Sequence, residues 1–199
     1  MNSRNWVRLF LSTLLLGAVV TSIVGFIVKW NEYQPYFITG DFVEILFSLF
    51  WFVGVGFIFS LISQMGFFAY LTVHRFGLGI FKRNLWNWIQ VMLILFVLFD
   101  LVYFRYAIFA ETGEGFISYL VLAVAILIVG LIIAYIKSIQ TNIGAFIPAV
   151  FFMVVVTTVE WVPALRVNEE GWLYFMLIPL LVCNAYQLLV LHKINQKSA

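Results

Sequence analysis

The chain has 199 residues, 64% of them hydrophobic and only 10% charged, with a formal net charge of +2 and a mean hydropathy of +1.07. A water-exposed domain needs a charged skin, so this composition excludes a soluble protein, and the small net charge without a basic patch excludes nucleic acid as a partner. Apolar runs of about 20 residues, enough to cross a ~30 Å hydrocarbon layer as helix, recur with short gaps, which predicts an all-α, polytopic protein of the cell membrane.

Six spans are expected, at about residues 7–28, 43–73, 88–109, 116–136, 143–162 and 172–191, forming one integral membrane domain over 1–199. The first follows Arg4 and Arg8 as a signal peptide would. Its roughly 20 apolar residues exceed the ~7 to 15 of a signal core, and no A-x-A cleavage site follows, so it reads as an uncleaved span. Gly17, Thr21 and Gly25 recur at four-residue spacing, with Ala18 and Ser22 beside them. Such a stripe lets another helix approach closely, either inside the monomer or from a partner's transmembrane segment.

KWNEYQPYFITGD links to a second span that carries Gly56, Ser60, Ser63 and Gln64. That span is long enough to require tilt or an extension past the membrane. The loop HRFGLGIFKR, residues 74–83, sets basic residues at both ends around Phe76 and Phe81. It suits anchoring against anionic lipid or contact with a partner protein. Arg75, Phe76, Phe81, Lys82 and Arg83 therefore join Gly17, Thr21 and Gly25 as candidate partner-contact residues.

The third span reads VLFDLVYFRYAIFAE, with Asp100 and Arg105 inside it. Five positions at ~100° each place the two about 140° apart, so a pair on the same helix is disfavoured. Asp100 reads as a buried carboxyl bonded to another helix, with a signalling or transport role as the alternative; Arg105 reads as a snorkelling anchor reaching toward Glu160. These three are the candidate buried polar residues. Pro148 and Pro179 fall in the fifth and sixth spans at positions that do not correspond, and Cys183, the single cysteine, reads as a small buried hydrophobe.

Charge sets the orientation. With both termini cytoplasmic, Arg4, Arg8, Arg75, Lys82, Arg83, Lys137, Lys193 and Lys197 lie inside, against Lys29, Arg105 and Arg166 outside. Glu32, Asp41, Glu44, Asp100, Glu111, Glu114, Glu160, Glu169 and Glu170 all fall in the outer half, away from His74 and His192. That separation, with HExxH, GxSxG and P-loop patterns absent, leaves no triad or metal set, so no enzyme, metal or cofactor is expected. Three spans per half permit an inverted-repeat transporter or channel, but the halves share no matching sequence.

WNEYQP at residues 30–35 and SQMGFFAYLTVHRFGLG at residues 63–79, with the opening NWVRLFLSTLLLG, resemble the KbaA family of KinB-signalling pathway activation proteins of spore-forming bacteria. The resemblance covers the whole chain. It implies a non-enzymatic membrane regulator that promotes activation of the sensor histidine kinase KinB, and through it the sporulation phosphorelay. The partners implied are that kinase and the lipid bilayer; no active-site residues are implied. A transporter or channel that supplies a signal to the kinase is the alternative reading.

Overall fold

A computed structural model describes residues 3–110 and 115–196. Glu111, Glu114 and Lys197, used above for orientation, lie outside the described residues. Within them the chain is helical apart from short connections, as lipid demands of a backbone that must satisfy its own N–H and C=O groups. The helices are α1 (Ser3–Val28), α2 (Trp30–Thr39), α3 (Phe42–Ile80), α4 (Arg83–Phe109) and α5 (Phe116–Gln140). The fifth span is composite: a 3₁₀ turn at Ile143–Ala145, α6 (Phe146–Phe151), a π-turn at Phe152–Val156 and α7 (Thr157–Val167); α8 (Glu170–Gln196) follows. Among the described residues six helical units are long and apolar enough to cross a membrane, and each contains the centre of one predicted span.

Helix α8 runs through the middle of the bundle, against α1, α3, α5 and α7, while α1 lies along α3. Helix α4 packs on α5 and the fifth span. An even number of crossings returns the chain to the end where it began, and there the Asn5 side-chain amide donates to the Ile194 carbonyl at 3.1 Å.

The segment WNEYQPYFIT, expected as a link, is helical despite Pro35. Its apolar side makes it so: Tyr33 and Phe37 set their rings 5.6 Å from Phe26, and Tyr33 also meets Phe52 at 5.3 Å. Gly40 ends it at φ 71°, and the Asp41 carboxylate then accepts from the Glu44 N–H at 3.3 Å to start α3. A Cβ at Gly40 would meet nothing, so Gly40→Ala carries only the left-handed backbone penalty. We expect it to lower stability by about 1 kcal/mol, read as thermal unfolding of the purified protein.

At ~1.5 Å per residue the 39 residues of α3 extend ~58 Å, nearly twice the ~30 Å hydrocarbon layer. The expected loop at 74–83 is thus corrected: residues 74–80 continue the helix, and Phe81 and Lys82 alone make the turn into α4. Aromatic packing holds this hairpin. Trp86 lies where any Cβ on Gly77 would be, stacks on Phe81 with ring centroids 6.1 Å apart, and donates its indole N–H to His74 Nδ1 at 3.0 Å.

Candidate functional site

Polar side chains inside a membrane bundle need partners from neighbouring helices. The largest such set joins α3, α7 and α8, and a π-turn aims it. The Thr157 N–H reaches back five residues to the Phe152 carbonyl, so one turn holds an extra residue and everything after it is rotated about the helix axis. Thr157, Glu160, Trp161 and Ala164 are buried as a result. The Trp161 indole donates to the Leu173 carbonyl at 3.0 Å, tying α7 to the start of α8.

Asn184 is the hub. Its amide N–H groups donate to Glu160 Oε2 at 2.7 Å and Thr157 Oγ1 at 2.9 Å, while its Oδ1 accepts from the Ser63 hydroxyl at 2.7 Å. Gln187, one turn along α8, donates to Ser63 Oγ at 2.7 Å. Ser63, Thr157, Asn184 and Gln187 are wholly buried and Glu160 nearly so. The second carboxylate oxygen of Glu160, Oε1, has no hydrogen-bond partner and presses against Gly66, where any side chain would collide with it. The set can position a carboxyl group at the junction of three spans. It is enclosed, and no group of three or more metal-ligating side chains occurs among the described residues.

Two smaller polar sets lie toward the bundle ends. At the α2 end, Arg105 donates through Nε and Nη2 to Asn168 Oδ1 at 3.2 and 2.8 Å and lies 5.2 Å over the Tyr119 ring. At the opposite end, His74 is bonded to Trp86, with Gln90 Nε2 3.4 Å from the same ring nitrogen, and the Tyr70 hydroxyl donates to the Pro148 carbonyl at 2.8 Å. Lys137, counted above as an anchoring charge, is buried with Nζ donating to the Leu188 carbonyl at 2.6 Å.

The candidate residues fall into three fates. The Gly17, Thr21 and Gly25 face is closed inside the monomer: a Cβ on Gly17 would come within 2.6 Å of Ser60 Cβ, one on Gly25 within 2.7 Å of the Phe52 ring, and Thr21 is fully buried. The reading of that face as an open dock for a partner helix is therefore corrected, because α3 already occupies it. Arg75, Phe76 and Lys82 are exposed, Phe81 partly so, and the Arg83 guanidinium lies against Gly144.

Among the polar trio, Arg105 and Glu160 are buried but do not meet, each bonding a side-chain amide instead. Asp100 is half-buried in a cleft between α4 and α7 that Arg105 also lines, and among the described residues it makes no interhelical hydrogen bond of the kind expected of it. The hub residues Asn184, Gln187 and Thr157 were not singled out in the sequence. Asn184 and Gln187 stand three apart in an otherwise apolar run, which is the pattern that marks one polar helix face.

A sequence profile described as KbaA, KinB-signalling pathway activation in sporulation, matches residues 17–194. The KinB-signaling pathway activation protein of Bacillus subtilis (strain 168) is 54% identical over 198 residues, covering 99% of this chain and 100% of that protein. No solved structure matches.

Proposed function

Because this chain belongs to the KbaA family, we propose that it is a non-enzymatic regulator in the cell membrane that promotes activation of the histidine kinase KinB, and so of the sporulation phosphorelay, by direct contact. The overhang of α3 beyond the hydrocarbon layer carries this reading. Its exposed end presents Arg75, Phe76 (67% exposed) and Phe81 beside Lys82. Next to it, Trp6, Phe68, Leu71 and Phe76 bound a hollow of about 700 Å³. Arg4, Arg8 and Lys193 belong to the same end, and by the positive-inside rule that charge supports a cytoplasmic position for it.

A regulator of this kind acts by binding one kinase state more tightly; a difference of ~1.4 kcal/mol changes the state ratio tenfold. The polar side chains of the spans favour this over transport. They form separate sets, each bonded within itself, rather than a continuous polar path. Photocrosslinking from positions 76 and 81 in native membranes is expected to give kinase adducts. Arg75→Glu with Phe76→Ala is expected to reduce sporulation-gene output about tenfold at unchanged protein level. Efficient crosslinking to lipid alone, with normal output from the double variant, would remove this surface from consideration.

A further inference from the structure

Helix α4 and the fifth span run in the same direction. They pack closely along α6 and the π-turn and have few contacts along α7. Between α4 and α7 lies a cleft of about 340 Å³. Its walls include Phe104, Ile108, Val159 and Val162, all exposed on the flank of the bundle where hydrocarbon lies. Two cations, Arg105 and Arg166, join the lining on the α2 side, where Ile108 and Phe109 of α4 also lie. Arg166 is one residue from the end of α7 and is exposed. Arg105 is four residues from the end of α4 and only 9% exposed.

Arg105 is the unusual member. Its hydrogen-bonding partner, Asn168, is neutral, and its Nη1 has no partner. The one ion pair among the described residues is Lys29–Glu32, so no described carboxylate is paired with this guanidinium, Glu170 lining a neighbouring hollow with it without an ion pair. A buried cation without a paired carboxylate is costly, and an anion brought near it lowers that cost even where the guanidinium N–H groups, Nη1 included, are enclosed by protein. Asp100 does not fill that role: it lies five residues, ~7.5 Å, deeper along α4 and forms no ion pair with Arg105. Thr158, the remaining polar lining residue, donates its hydroxyl to the Val154 carbonyl of its own helix at 2.7 Å.

We propose that the α4–α7 cleft is a site for one phospholipid with a net-negative headgroup, its phosphate held by the exposed Arg166 near the buried charge of Arg105 and an acyl chain lying between Phe104, Val159 and Val162. The headgroup supplies an anion on the side of the cleft that carries the two cations. The walls below supply the apolar surface a chain needs. This site is on the opposite end of the bundle from the kinase-contact surface and does not depend on it.

Native mass spectrometry of the full-length protein, released from nanodiscs of equal phosphatidylglycerol and phosphatidylcholine with matched chains, tests it directly. The wild-type protein is expected to retain one phosphatidylglycerol with about tenfold preference. Arg166→Gln, at an exposed position that leaves the packing intact, is expected to lower that preference several-fold, and Val159→Trp to reduce retention of the lipid itself. Asp100→Asn, which removes an anion from the deep end, keeps or raises it. Equal retention of the two lipids by the wild type, an unchanged preference in Arg166→Gln, or displacement of the phospholipid by equimolar oleate would each overturn the assignment, the last in favour of a free anionic amphiphile.

Discussion

Gly56→Leu is expected to separate α1 from α3 and to prevent the protein from accumulating in folded form. A Cβ at Gly56 would come within 2.7 Å of the Ala18 Cα and 2.8 Å of the Gly17 carbonyl oxygen. Both are backbone atoms, so no rotamer change relieves the clash. Gly17 has the reciprocal problem, with Ser60 Cβ at 2.6 Å and the Gly56 carbonyl at 3.0 Å. The two helices meet backbone to backbone, and a leucine between them must push them apart along a contact that buries Thr21, Phe52 and Ser60. Overpacking costs about 1–3 kcal/mol where side chains can adjust, and more is expected where they cannot. Gly54→Leu provides the control, since a Cβ there meets nothing and the side chain would enter lipid. Thermal unfolding of the two variants in the same detergent checks the argument: similar midpoints would mean that the close approach does not hold the pair together.

The second large effect is expected from Asn184→Leu. The substitution keeps the volume roughly constant and removes three hydrogen bonds at once, to Ser63, Thr157 and Glu160. Each group left without its partner is buried. A stranded buried polar group costs about 1–3 kcal/mol in a water-soluble core, and interhelical hydrogen bonds in membranes average nearer ~0.6 kcal/mol because the separated helices find other partners. The total expected loss is therefore about 2–5 kcal/mol. Adding Thr157→Val to Asn184→Leu should recover part of it by deleting one stranded hydroxyl. A double-mutant cycle, read by reversible unfolding in mixed micelles, measures that coupling. Strict additivity would mean that the bond between Thr157 of α7 and Asn184 of α8 contributes nothing in the folded bundle.

The six spans were legible because each needs about 20 apolar residues, and hydropathy reports that directly. Their ends were not. The second span was expected to stop near residue 73, yet α3 continues to Ile80, because a helix leaving the hydrocarbon keeps its backbone hydrogen bonds while its composition turns polar. Helix α2 was hidden for a related reason: Pro35 and the polar letters of WNEYQP suggest a loop, and only the rings of Phe26 and Phe52 on adjoining helices explain why it folds. The stripe of Gly17, Thr21 and Gly25 was legible as a close-packing face, but a stripe does not name its occupant, and the occupant is α3. Glu160 stood out in the sequence as a carboxyl in a span. Its partner did not, because the π-turn at Phe152–Val156 changes the rotation on which any fixed helical period depends.

The central position of α8 has a consequence for biogenesis. It is synthesised after every helix it touches, so α1, α3, α5 and α7 enter the bilayer before the element that joins them exists. During that interval Ser63 and Glu160 lack the amide that bonds them, and polar groups in lipid without partners are what membrane chaperones and quality-control proteases have physical grounds to bind. A nascent chain halted before Asn184 thus carries a mark of incompleteness in the middle of the membrane, and insertion of α8 erases it.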